Sequence, residues 1–436
     1  MKPIQKITLL WLAWAIILIG YQNLVNARFD PNHPDKALSW TEWETTPTSN
    51  KGKIYLEEPF LNTQVAWDSE YYLSIATQGY NDPAVPGIPP NFSWNDPQSC
   101  KPGKPPTCYS RNYAFFPFYS YFSRVISLPF RLFLTPIAAS TLATVLVSLL
   151  GTLGAMLALY ELTKNELEEA GGLRAAFYLL IFPSGFFLAQ VYTEGLFVGL
   201  AFGSLAFLKR RQWLWAGVLA ALATWTRAAG GLLFIALIGS WVVDLIRLLH
   251  YRQIKTTAEA TTNEGEEIAP PKLRLRTTLL NLGYTFLPVL AYFIWNASLG
   301  APFHVVEDLY FSRGFMLIEQ SWRAWVDAFE SFTSNNLQAR TYYTVEFVSI
   351  IIALLACALT FKRYTWLATF GLLVIVFSFF SGAAQGMHRY VLAVPSIFIM
   401  LARFGKNPVF DRAWTIISVL IMGLMATLFT FDFWAG

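Results

Sequence analysis

Apolar residues in this chain gather into blocks of about twenty, separated by short polar or basic turns, and within the blocks they do not alternate. Blocks of that length cross the roughly 30 Å hydrocarbon layer as helix, whereas barrel strands would alternate over about ten residues. The pattern predicts an all-α, polytopic membrane bundle with about eleven transmembrane helices. The expected spans cover residues 7–24, 136–162, 175–189, 195–208, 213–225, 228–246, 277–295, 343–361, 364–380, 390–401 and 414–431. Residues 114–134, aromatic but carrying Arg124 and Arg131, read better as a helix lying in the interface or re-entering than as a clean span.

The first block, about eighteen residues, exceeds the usual apolar core of a signal peptide and is expected to stay as an anchor, although Val25 and Ala27 make a passable cleavage site. The organisation that follows is a first helix (1–25), a long loop with short interfacial helices (26–135), a half-bundle (136–249), a linker (250–276) and a second half-bundle (277–436). The linker is expected to be disordered, because TTAEATTNEGEEIAPP is poor in apolar residues.

Composition agrees with this reading: 55% of the 436 residues are hydrophobic, 17% aromatic and only 14% charged, which excludes an ordinary water-soluble domain. The net charge of +4 does not point to nucleic acid, because the Lys and Arg residues are sorted by membrane side and not gathered into a patch. Short turns holding Lys2 and Lys6, Lys164 and Arg174, Lys209 to Arg211, Lys362 and Arg363, and Arg403 to Arg412 place the N-terminus and these turns in the cytoplasm. The long first loop then faces the other side, in a bacterial plasma membrane or, for a eukaryotic chain, in the membrane of the endoplasmic reticulum. Cys100 and Cys108 lie close together in that loop, and two readings stand: a short disulfide if the compartment is oxidising, or two free thiols.

With that orientation the outer turns carry ionisable groups that are costly at a membrane surface unless paired or bound to something. Glu194 and Tyr192 sit in QVYTEGLF, Arg227 in TWTRAAGG, and His388 and Arg389 in GAAQGMHRY. The bland reading is interfacial anchoring; three such turns on one side favour a site. The loop adds VAWDSEYYLSIATQGYNDP, where residues 69–78 are expected to form a short helix lying on the membrane, closed by Gly79. Asp68 falls at its start, where the helix dipole favours the carboxylate; it is either a plain N-cap or a base, and Glu70 is a weaker candidate on another side of the same turn. Downstream, FFPF around Pro117 makes an aromatic wall that suits the interfacial belt or a groove for an isoprenoid or acyl chain.

These segments in order, WDSEYYLSIATQGY, YAFFPFY, YTEGLF, WLWAGVLAALATWTR and HRY, resemble the phosphatidylinositol-glycan class V mannosyltransferase family of the GT-C glycosyltransferase superfamily, from about residue 65 to residue 404. The resemblance implies transfer of a sugar, mannose above all, from a polyprenyl-phosphate donor to a lipid or glycan acceptor on the outer face. It also implies that Asp68 is the presumed base and that Glu194 and Arg227 are family positions. The chain departs from the family in having Ala228 and Ala229 where Pro often follows the arginine, and in the Pro- and Cys-containing insert 83–108.

The chemistry of such a transfer needs a base, a cationic site for the departing phosphate and protection from water. The expectation is therefore Asp68 as base, Arg227 and Arg389 on the phosphate, and Glu194, Glu70, Tyr192 and His388 orienting sugar or acceptor, with inversion at the anomeric carbon. No cofactor and no obligatory metal are expected, since no cluster with metal-ligand spacing occurs in the sequence. Two rivals stand beside it: a transporter or flippase of lipid-linked sugars, which should place charge near the midplane in inverted repeats, and a structural subunit of a larger membrane complex.

Overall fold

The structure is a computed structural model describing residues 1–102, 107–261 and 275–436; of the expected linker, residues 262–274 lie outside the described residues. The chain begins with α1 (Pro3–Arg28), followed by a long loop holding α2 (Thr41–Glu44), α3 (Ile54–Glu57) and α4 (Ser69–Thr77). A two-residue antiparallel pairing joins Gly87–Ile88 to Tyr109–Ser110, and Cys100 and Cys108 form a disulfide beside it. Next come α5 (Pro117–Ser127), α6 (Pro136–Ile181), α7 (Glu194–Lys209), α8 (Trp213–Thr226) and α9 (Leu233–Thr261). The second half runs through α10 (Leu275–Thr285), α11 (Leu287–Trp295), α12 (Ala301–Leu309), α13 (Ile318–Thr333), α14 (Leu337–Thr360), α15 (Thr365–Phe379), α16 (Met387–Tyr390), α17 (Pro395–Phe404) and α18 (Pro408–Thr430).

Among the described residues six helices are long and apolar enough to cross a membrane, or seven if the pair around Ala393, bent by 81°, is one span. The chain is an integral membrane protein with a helical bundle. The tally differs from the expected eleven for two reasons. Residues 136–181 count as one, although the backbone breaks at Glu168 (φ 60), between the two spans expected at 136–162 and 175–189. In addition α7, α8 and α15 have 16, 14 and 15 residues, too few to span straight at 1.5 Å per residue. The span expected to end at Trp295 continues instead through a π-helical turn, Asn296–Gly300, to Leu309.

Glycine allows the closest approach in the bundle. A Cβ on Gly195 would strike the Ser148 carbonyl, and one on Gly199 would strike that of Gly151, so α6 and α7 pack backbone to backbone. That approach fixes the start of α7, where Glu194 stands. At the other end of the bundle Glu166 binds both Arg403 (2.5 Å) and Arg363 (2.8 Å), tying together three of the turns expected on the cytoplasmic side.

The first loop is not an appendage. All nine residues of α4 are buried, so the helix expected to lie on the membrane is packed inside, with Tyr71 stacked on Phe115 (4.7 Å) and Tyr72 edge-on to Tyr119 (5.2 Å). Tyrosine suits both settings, an apolar body with a polar tip, which is why composition alone placed it at the interface. Buried Gln22 of α1 pins the loop by donating to the Thr63 carbonyl (2.9 Å) and accepting from Gln190 (3.1 Å). Helices α5 and α13 are amphipathic; α13 exposes an apolar stripe, Ile318, Trp322, Val326 and Phe329, beside a charged one with Glu319, Arg323 and Asp327, which suits the interface.

Candidate active site

Trp67 sets the position of Asp68. Its backbone is left-handed (φ 53), costly for a bulky residue, and its ring is wedged edge-on between Trp40 (5.6 Å) and Trp434 (5.2 Å). Asp68 then stands at the N-cap of α4, but its side chain makes no cap hydrogen bond. The carboxylate turns instead toward Arg389, with Oδ2 3.3 Å from Nη1, while the Asp68 backbone N–H donates to the Tyr192 hydroxyl (3.3 Å).

Arg389 is delivered by a turn with its own anchor. Gly386 takes φ 79, open to glycine, and the fully buried Glu346 accepts hydrogen bonds from Gly386 N–H (2.5 Å), His388 N–H (2.9 Å) and the Tyr342 hydroxyl (2.5 Å). The His388 ring sits between Glu346 Oε1 (3.2 Å) and the Ala435 carbonyl (2.6 Å). The guanidinium of Arg389, only 7% exposed, meets three partners: Nη1 donates to Asp68 (3.3 Å), Nη2 lies 3.3 Å from the Tyr390 hydroxyl, and Nε forms an ion pair with Glu194 Oε1 at 3.1 Å without a hydrogen bond. Arg227 also donates to Glu194 Oε1, while Glu194 Oε2 is buried without a hydrogen-bond partner among the described residues.

These groups line one cavity of about 530 Å³. Its lining combines ionisable or polar groups, among them Asp68, Glu194, Arg227, Arg389, Tyr390, Glu307, Arg313 and His304, with apolar ones including Phe116, Trp295, Phe303, Val374 and Phe377. Phe116 stacks on Trp295 (4.4 Å) and meets Phe303 (5.2 Å), so the aromatic wall beside Pro117 faces the cavity and not only the interfacial belt. Burial raises the Tyr72 phenol well above its ordinary value, keeping this lining hydroxyl protonated and able to donate.

Of the residues singled out by sequence, Asp68, Glu194, Arg227 and Arg389 meet around this cavity. Tyr192 stands behind Asp68, and His388 behind Arg389. Glu70 is not brought to the cavity: it is buried on another side of α4, with its carboxyl raised by burial and influenced by Lys53 and Arg111. Sequence reasoning missed Glu307, His304, Arg313 and Tyr390. The signal was an ionisable cluster, HVVEDLYFSR, following an apolar run that does not end at Trp295. Among the described residues no group of three or more His, Cys, Asp and Glu side chains is arranged to hold a metal ion.

No family model matches the sequence, and no curated protein matches it. Solved structures do. The archaeal oligosaccharyltransferase AglB from Archaeoglobus fulgidus, in complex with an inhibitory peptide and a dolichol-phosphate, is similar with 14% identity and a TM-score of 0.38 over 96% of this chain and 55% of that one. A crystal structure of the Archaeoglobus fulgidus oligosaccharyltransferase in complex with Zn and sulfate is similar at 14% identity and 0.38, over 86% of this chain and 52% of that one. ArnT from Cupriavidus metallidurans in the apo state gives 14% identity and 0.42, over 87% of this chain and 74% of that one. The chain thus spans about half the length of the two oligosaccharyltransferase chains.

Proposed function

We propose that this chain is a GT-C-type membrane glycosyltransferase that moves a sugar, mannose in the first instance, from a polyprenyl-phosphate donor to a hydroxyl acceptor on the extracytoplasmic face. The observation that carries the reading is a single cavity lined both by arginines and carboxylates and by stacked aromatic and aliphatic residues. That distribution matches an amphiphile whose phosphate must be neutralised and whose chain must stay out of water.

In this reading the acceptor oxygen attacks the anomeric carbon, the bond from that carbon to the phosphate oxygen breaks, and Asp68 takes the hydroxyl proton. The phosphate leaves with the electron pair on the lipid, and a single displacement inverts the anomeric centre. Asp68 is suited to the base role because its carboxylate is not spent as a helix cap and is oriented by Arg389. Arg227 faces the phosphate. Arg389, expected there as well, is already committed to Asp68, Glu194 and Tyr390, so its part is to position the base. Glu194 holds two arginines together and keeps one oxygen for a sugar hydroxyl.

The test is radiolabelled sugar transfer by the purified chain in lipid nanodiscs and in vesicles, with polyprenyl-phosphate sugars as donors. A covalent labelled product supports a transferase. Donor moved across vesicles without product supports the flippase, and neither outcome supports a structural subunit.

A further inference from the structure

The three arginines of the cavity differ in how much of each guanidinium is already used. Arg389 has the most partners of the three: the carboxylates of Asp68 and Glu194 and the Tyr390 hydroxyl. Arg227 spends Nη1 on Glu194 and on Thr193 Oγ1 (3.4 Å). Arg313 makes one side-chain hydrogen bond, from Nη1 to the Tyr390 hydroxyl at 2.8 Å, and forms no ion pair among the described residues. A guanidinium carries five N–H donors, so Arg227 and Arg313 retain most of theirs inside a cavity that both line.

Tyr390 joins the three. Its hydroxyl accepts from Arg313 and lies 3.3 Å from Arg389 Nη2, and the Arg227 guanidinium carbon is 4.7 Å from its ring centroid. A phenol oxygen receiving two guanidinium donors stands where an anion oxygen would be bound more strongly.

The backbone around Arg313 is built to hold this arrangement. Ser312 (φ 51) and Met316 (φ 52) both take the left-handed conformation. Arg313 N–H donates to the Glu307 carbonyl (2.9 Å), Gly314 N–H to the Ser381 carbonyl (3.0 Å), and Leu317 N–H to the Phe380 carbonyl (2.8 Å). Two strained non-glycine residues flanking a cavity arginine, on a turn clamped to the neighbouring one, mark a side chain held for a purpose.

We propose that Arg313 is the principal grip on the phosphate of a lipid-linked ligand, acting with Arg227, and that the Tyr390 hydroxyl holds its guanidinium ready until the phosphate arrives. This rests on reading the chain as acting on a lipid phosphate. It names a residue outside every sequence motif that suggested that reading. The phosphate oxygen displaces the phenol because a charge-assisted hydrogen bond is roughly twice as strong as a neutral one.

The experiment is binding of a short-chain polyprenyl monophosphate and of the matching uncharged polyprenol to the purified full chain in nanodiscs. Wild type is expected to prefer the phosphate by about tenfold or more. Arg313→Gln should cut affinity for the phosphate by roughly ten- to a hundredfold while leaving the polyprenol unchanged. Arg313→Lys, which keeps the charge and loses the fork, should fall between the two and guards against a folding defect in the Gln variant. If both variants keep the wild-type preference, Arg313 is not the grip, although the lipid-phosphate reading survives. If wild type itself fails to distinguish phosphate from alcohol, that reading falls and this inference falls with it.

Discussion

Arg389 Nη1 lies 3.3 Å from Asp68 Oδ2, joining a residue of the first loop to one 321 positions later. Their side chains are 7% and 25% exposed, so water screens the pair less than it would on a surface. Asp68→Asn and Arg389→Gln, alone and together, should show a coupling of roughly 1 kcal/mol or more in stability to denaturant in micelles. Additive effects would mean that the pair does not act as one.

Glu194 holds the opposite side of Arg389 and also binds Arg227. With its side chain only 2% exposed, removing its charge leaves two guanidinium groups close together, Arg227 without its ion-pair partner and Arg389 with Asp68 alone. Glu194→Ala should destabilise the chain by about 3 kcal/mol or more, and Glu194→Gln by less, because an amide oxygen still accepts. Thermal unfolding in one detergent checks both variants.

The contact of α6 with α7 predicts a steric effect. Gly199→Leu places side-chain atoms against the Gly151 backbone, with no flexible neighbour to yield. A loss of roughly 2–3 kcal/mol is expected, with lower yield of folded chain on size exclusion. Gly154→Ala on the same α6, where an added Cβ meets nothing within 4 Å, should cause no loss.

The pH dependence turns on Asp432, just beyond α18, whose carboxyl is pushed up to about 7 by burial, against the pull of the Asn50 amide (2.6 Å) and Lys53. Its folded value lies above the unfolded one of 3.8, so the folded state holds the proton more tightly. That contribution to stability is complete below pH 3.8 and is lost as pH rises through 7. Asp432→Asn should therefore raise Tm relative to wild type more at pH 8 than at pH 5, as read by thermal unfolding at both values.

Half of the site was legible in the sequence for a reason that can be stated. Glu194, Arg227 and Arg389 sit in short turns between apolar helices, where a charge needs an explanation, and Asp68 begins a short aromatic helix. Arg313, Glu307 and Tyr390 were hidden because each follows or adjoins an apolar segment whose limit was misplaced. The run expected to end at Trp295 passes through a π-helical turn, and Tyr390, expected to open a span, closes a four-residue helix. The helical membrane fold followed from block length, and the break at Glu168 falls between two expected spans, whereas periodicity cannot reveal the bend between α16 and α17. The burial of α4 was also beyond a local reading, since it depends on aromatic partners at Phe115, Tyr119 and Tyr192.

The most direct measurement is turnover by Asp68→Asn in purified chain supplied with polyprenyl-phosphate sugar and acceptor, with donor binding measured on the same preparation. The account predicts a fall in transfer of roughly a hundred- to ten-thousandfold, with donor affinity kept within a few-fold. Transfer near the wild-type rate, at unchanged donor affinity, would contradict it.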